Sequence, residues 1–249
     1  MADRRLEIWG ELAAHAAGRG AVVSLADVCA VAAASELSGA WVAAARDDEP
    51  AFLMYATDPV GEQLAELQLT LGEGPCHDVL VFAAPVLAGD LADNESGRRW
   101  PAFTPEARRH GAGAAFAFPL IVGAIRAGVL GAYRRSAGPL TGDQLGDLLI
   151  LADAATMLLL DSLGDGAAAA ADGDGAWLDG RPPDLALHRA EIDQATGMLT
   201  GQLGVNITEA FARLRAYAYA ENRRLADVAS DIVARRLRLH PDPGPEEGP

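Results

Sequence analysis

Between Gly164 and Pro183 the chain runs through Gly, Ala and Asp and ends in Arg181-Pro182-Pro183. A segment of that composition buries little apolar surface, and two consecutive prolines stop a helix arriving from the N-terminal side. This flexible linker, 164–183, divides the 249 residues into a long part, 1–163, and a short part, 184–240. Trp177-Leu178 is the apolar exception inside it and is suited to dock on a neighbour. The last residues, 241–249, alternate Pro with Gly and acids and are expected to be disordered.

Charge separates the two parts further. The net charge of -15 opposes non-specific binding of a polyanion by the whole chain. Residues 1–183 hold 12 Arg and 25 acids, whereas 184–240 hold 8 Arg and 7 acids, a local balance of +1. Only the C-terminal part therefore offers a phosphate backbone no strong opposing field. Two cysteines, Cys29 and Cys76, are too few for a disulfide framework. The first nine residues are charged and lack the apolar core of a signal peptide. The most apolar run, Leu148 to Leu160, is interrupted by Asp153 and suits a packed helix rather than a membrane span. A soluble cytoplasmic protein without a membrane partner is expected.

The N-terminal part reads as mixed α and β. Leu6–Ala17 and Ser24–Leu37 carry apolar residues at helical spacing. Ala40–Arg46 and Phe52–Ala56 are strand candidates around an Asp47-Asp48-Glu49-Pro50 turn. A helix over Val60–Leu69 leads into Leu71-Gly72-Glu73-Gly74-Pro75-Cys76-His77-Asp78, a Gly-rich loop with Pro75 placed for a helix first turn. Pro85–Gly89 is a short strand and Pro105–His110 a helix. Ala114–Val122 and Ala127–Tyr133 form a strand pair turning through Gly123. Thr141 caps a long helix running to about Ser162.

The C-terminal part predicts three short helices. On the first, Leu185, Ile192 and Leu199 recur every seven residues. That stripe suits either a dimer seam or a cover for the other two helices. Gly197 costs about 1 kcal/mol relative to Ala in mid-helix, so a neighbouring helix or a ligand is expected to approach it closely. Asn206 or Thr208 caps the second helix. Its pairs Arg213/Tyr217 and Arg215/Tyr219, each four apart, can set a guanidinium beside an aromatic ring. Such pairs read unpaired RNA bases by stacking, although each Tyr could equally be core with its Arg merely snorkelling. The third helix is expected to end in Arg235, Arg236 and Arg238, where cations also stabilise the helix dipole without a partner. Arg223 and Arg224, at the turn before it, are the better phosphate candidates.

Ile192-Asp193-Gln194-Ala195-Thr196-Gly197-Met198-Leu199, Ala210–Arg215 and Asn222-Arg223-Arg224-Leu225 together resemble an ANTAR domain. The resemblance implies RNA hairpins as partner and transcription antitermination as output. It implies contact through Gln194, Thr196, Gly197, Arg215, Tyr219, Arg223 and Arg224. Thr196 stands where ANTAR domains frequently carry Lys or Arg, which removes a cation from the expected RNA face. Glu66–Cys76, Phe116-Ala117-Phe118-Pro119-Leu120 and Gly128-Val129-Leu130-Gly131 are similar to a GAF domain over roughly residues 20–160. That resemblance implies an antiparallel sheet flanked by helices, an unidentified small-molecule ligand and protomer pairing through the end helices. The expected class is α+β: a GAF sensor followed by a three-helix ANTAR bundle, acting as a homodimeric regulator rather than an enzyme.

Cys76-His77 is the competing feature. A thiol at a helix N-terminus has a lowered pKa and can serve as nucleophile or redox sensor. A structural turn is the alternative role for the pair. A Cys-His dipeptide in a GAF domain is also similar to bilin attachment in phytochrome-like photoreceptors, but the surrounding bilin-pocket sequence is absent. GAF proteins that reduce methionine sulfoxide use several cysteines, and Cys29 lies on an apolar helical face. His15, His110, His188 and His240 show no metal-ligand spacing, so no metal or resident cofactor is expected. A helix-turn-helix reading of the last two helices lacks base-reading side chains at Ala226, Asp227 and Val228.

Overall fold

The computed structural model describes residues 2–45, 50–172 and 183–240, with side chains described for 3–45, 50–161 and 188–240. Asp47-Asp48-Glu49, Trp177-Leu178 and the 241–249 tail lie outside the described residues. The chain forms two compact units, Met1–Pro182 and Pro183–Pro249.

In the first unit, helices α1 (Ala2–Gly18) and α2 (Leu25–Ala34) precede strands β1 (Gly39–Ala44) and β2 (Phe52–Ala56). Helices α3 (Pro59–Leu71) and α4 (Pro75–Phe82), strand β3 (Val86–Ala88) and helices α5 (Asn94–Arg99) and α6 (Phe103–Arg109) follow. Strands β4 (Ala114–Val122) and β5 (Ile125–Arg134) and helix α7 (Gly142–Asp172) complete it. The strands make one antiparallel sheet in the order β2-β1-β5-β4-β3. The β4–β5 hairpin turns in two residues, with Gly123 at φ 59° as such a turn requires. Pro119 is tolerated inside β4 because β3 pairs only as far as Ala117, so no outer neighbour asks for its missing N–H.

Period-two alternation sends the sheet's side chains to two cores. Ala40, Val42, Phe116, Phe118, Leu120 and Leu130 meet Ile8 and Leu12 of α1, Val28 and Cys29 of α2, and Leu148 and Leu151 of α7. Trp41, Ala117, Val129 and Tyr133 meet Leu64, Cys76, Val79, Trp100 and Phe103 from α3, α4, α5–α6. Cys29 and Cys76 thus lie on opposite faces of the sheet, and Cys29 is core as expected. Trp41 and Gly131 are cross-strand partners, and a methyl on Gly131 would overlap the indole.

Caps follow the expected chemistry. Thr141 and Gln144 exchange hydrogen bonds at the start of α7, Thr141 Oγ1 accepting from Gln144 N at 3.2 Å and Gln144 Oε1 from Thr141 N at 3.0 Å. Asp58 accepts from Gly61 N at 2.7 Å at the start of α3, with Pro59 behind it. Two expectations are corrected. α7 does not end near Ser162 but continues to Asp172, into the predicted linker, because Ala167–Ala171 carry no helix penalty and offset Gly164 and Gly166. α5 was not expected, since Asn94–Arg99 contains no apolar residue; Asp93 caps it, accepting from Ser96 N at 2.6 Å, and buried Ser96 donates to Asp90 O at 3.0 Å.

The second unit contains helices α8 (Pro183–Leu203), α9 (Ile207–Ala220) and α10 (Leu225–Val233). Buried Ile192, Ala195 and Leu199 of α8 meet the apolar stripes Ala210, Leu214, Ala218 of α9 and Leu225, Val228, Ala229, Ile232 of α10.

Candidate nucleic-acid interface

Each turn of the second unit is made by a specific local device. Gly204 at φ 69° ends α8. Asn206 then caps α9, its Oδ1 accepting from Glu209 N at 2.9 Å. Asn222 adopts φ 50°, so that its N–H reaches Tyr219 O at 3.1 Å while Arg223 N reaches Ala218 O at 2.9 Å. That is a Schellman ending, which Asn tolerates in the left-handed region. Arg224 is the N-cap of α10. α10 ends the same way, with Arg235 at φ 58°, Arg235 N on Ile232 O at 3.0 Å and Arg236 N on Asp231 O at 2.8 Å. Arg235, Arg236 and Arg238 therefore follow the helix instead of forming its last turn.

These devices distribute the predicted contact residues over three places. Gln194 and Gly197 lie on the exposed row of α8, with Ala190 and Gly201. A methyl on Gly197 would meet nothing within 4 Å. Among the described residues no neighbouring helix of this unit packs against the Gly197 position. Arg215 and Tyr219 lie on α9 beside the buried Ala210, Leu214, Ala218 row. Tyr219 is 51% exposed. The Arg215 guanidinium sits 5.7 Å from the Phe211 ring centre, and desolvation there lowers its pKa from the ordinary Arg value. Its ring partner in the structure is Phe211, four residues before it. Arg213 pairs with Glu209 at 3.0 Å. Arg223 and Arg224 occupy the turn.

Three expectations change. Thr196 is buried and its hydroxyl donates to Ile192 O at 2.7 Å, so it belongs to the bundle core and not to an RNA face. A threonine here costs the face no cation. Ile192 and Leu199 are 3% and 0% exposed within one chain, so these turns of the heptad stripe cover α9 and α10 and are closed to a dimer seam. The side chain of Leu185 lies outside the described residues.

Asp231 is a residue that sequence reasoning missed. Its Oδ2 accepts from Arg223 Nη2 at 2.6 Å, and its Oδ1 from Arg236 Nε at 2.7 Å. Arg223 first, then Arg236, holds the carboxyl below the usual carboxylate range, and the same bond raises Arg223. The signal was faint: an Asn placed after a helix reverses the chain, and that brings Arg223 alongside α10.

Residues 186–233 match the family model of the ANTAR domain. The C-terminal unit contains an ANTAR domain. ANTAR domains are RNA-binding output domains. The first unit resembles the GAF domain of a phosphoenolpyruvate-protein phosphotransferase from Coxiella burnetii, at 17% identity and TM-score 0.51, over 66% of this chain and 96% of that one. It also matches, at TM-score 0.46 and 17% identity, the corresponding Acinetobacter GAF domain, over 66% of this chain and 96% of that one. The GAF-B domain of DevS from Mycobacterium smegmatis gives TM-score 0.41 and 18% identity, over 58% of this chain and 96% of that one. The first unit has the GAF fold, and the chain joins it to the ANTAR domain in the expected order. No curated protein matches the chain.

In the GAF unit the 66–78 phrase is a set of ties. Gln68 Nε2 donates to Leu64 O at 3.1 Å, and its Oε1 accepts from Cys76 N at 2.7 Å. Glu73 Oε1 accepts from Ala102 N at 2.6 Å and Phe103 N at 2.7 Å, capping α6. Asp78 binds Arg99 Nε at 2.6 Å and Trp100 Nε1 at 3.1 Å. Cys76 is the second residue of α4, but burial pushes its thiol up to about 12 against the opposing pull of Gln68. This corrects the expected lowered pKa: desolvation outweighs the helix terminus. His77 is exposed, with Nδ1 3.6 Å from Asp78 Oδ1. Among the described residues no His, Cys, Asp and Glu cluster could hold a metal ion, and no helix is long and apolar enough to cross a membrane.

Proposed function

We propose that this chain is a cytoplasmic regulator that binds RNA hairpins through its ANTAR domain and acts by transcription antitermination. The GAF unit supplies the input, a small molecule or a redox state. The match of residues 186–233 to the ANTAR model carries this reading. The local charge supports it, since the domain is the part of a strongly acidic chain with a near-neutral balance. Gln194 and Gly197 of α8, Arg215 and Tyr219 of α9, and Arg223 and Arg224 of the turn contact the RNA. Exposed Tyr219 offers a base a stacking surface, and the arginines hold phosphates. The protein works as a homodimer paired through α1 and α7, whose Leu6, Leu149 and Met157 point outward at 72%, 42% and 57% exposure.

Transcription in vitro tests the output. The template carries two small stem-loops, chosen from a randomised-loop library for binding to the full-length protein, with the second overlapping a terminator. Protein should raise read-through, and R223A/R224A protein should not. Read-through unchanged by wild-type protein, or hairpin binding displaced equally well by duplex DNA, overturns the proposal. A Cys76-centred enzyme or thiol switch is disfavoured by the burial of the thiol.

A further inference from the structure

Arg223 and Arg236 come from different segments, the α9–α10 turn and the chain beyond α10. Two left-handed residues, Asn222 and Arg235, reverse the chain at the two ends of α10, and the arginine after each reaches the same side chain of that helix. There one carboxylate binds both guanidinium groups, Asp231 to Arg223 at 2.6 Å and to Arg236 at 2.7 Å. Arg223 Nη2 also donates to Asp227 O at 3.4 Å. The side chain of Arg236 is 61% exposed, that of Arg223 36% and that of Asp231 24%. A guanidinium has five N–H donors in a planar fork. Arg236 binds Asp231 through Nε, and its guanidinium carries two further terminal nitrogens.

We propose that Arg223 and Arg236 form one two-guanidinium site for RNA backbone phosphate, and that Asp231 is its resident competitor. The carboxylate keeps two like charges side by side in the free protein and cancels one of them. A phosphate that enters shares the two forks with Asp231 and must overcome its charge. Affinity is held down in the unbound domain, and selectivity for folded hairpins rises, because contacts elsewhere on the domain must compensate. The site adds Arg236 to the contact set and assigns Asp231 a part in setting affinity. This inference rests on the RNA-binding reading above.

The test is equilibrium binding of the full-length protein to the labelled two-hairpin RNA selected from the randomised-loop library, at several salt concentrations. R236A should weaken binding about threefold to tenfold and reduce the log–log salt slope by roughly 0.7, the loss of one phosphate contact. D231N, of nearly the same shape, should tighten binding at least about threefold and steepen the slope. Thermal melting of each variant within a few degrees of wild type establishes that the bundle is intact, and Arg238→Ala serves as a charge-matched control with a smaller effect. Unchanged binding by R236A, or weaker or unchanged binding by D231N, overturns this inference while wild-type binding leaves the RNA reading standing. If the wild-type protein binds no RNA in the library, both fall.

Discussion

At the scale of single residues, environment decides roles that residue type leaves open. Cys76 has the sequence position of a reactive thiol, at a helix start behind Gly-Pro, and the burial of a core residue. Neither its burial nor that of Thr196 was legible, because both depend on which face of a helix meets a neighbour distant in sequence. Asp231 was hidden for the same reason. The GAF unit should lose stability in alkali. Cys76 and Tyr133 are both raised to about 12 by burial, from about 9 and 10. A raised folded pKa means that stability is complete below the unfolded value and is lost as pH climbs toward the folded one. The urea midpoint should therefore fall steadily between about pH 9 and 12. A flat midpoint over that range contradicts the assigned burial. In parallel, a thiol reagent at pH 8 should label Cys76 in urea and leave it largely unlabelled in native protein. Gly131→Ala should destabilise the unit by about 1–3 kcal/mol, since the Trp41 indole occupies the space of the added methyl. A loss under half a kcal/mol, read by urea denaturation, rules that packing out.

Elements were the most legible level, and the failures have particular causes. All five strands were found within two residues at each end, because alternation between two buried faces leaves a strong pattern and turns fall at Gly and Pro. α5 carries only polar residues and Gly, so nothing periodic announces it; the Asp93 side-chain cap at its start and the Trp100 N–H bond to Ser96 O at its end create it. α7 outran its apolar stripe on alanine alone. The Gly-rich phrase before Cys76 was recognisable, yet its purpose was not, since Gln68, Glu73 and Asp78 bind partners up to 30 residues away. Gln68→Leu should cost about 1–3 kcal/mol by leaving the buried Cys76 N–H without its acceptor. Glu73→Ala should cost about 1 kcal/mol by uncapping α6. Equilibrium unfolding of the two single variants and the double variant tests both values. Losses that add within about half a kcal/mol are expected for ties at separate helices.

At the scale of the whole molecule, a chain with net charge -15 concentrates its tolerance for polyanions in one small domain. The chain divides into an acidic GAF unit and a near-neutral ANTAR domain, which under the proposed function makes the input repel RNA and the output accept it. The proposed RNA interface draws on side chains of α8, α9 and the segments flanking α10, and rests on a few arginines rather than on a broad basic surface. Its affinity should accordingly be moderate and its salt dependence shallow. The measurement that meets this claim most directly is the dissociation constant of the full-length protein for a two-hairpin RNA as a function of salt. The account predicts binding whose log–log salt slope is about -2 from Arg215, Arg223 and Arg224, and nearer about -3 with Arg236, its magnitude falling by roughly 1.4 in R223A/R224A. Absent binding, or binding indifferent to both salt and those two arginines, contradicts it.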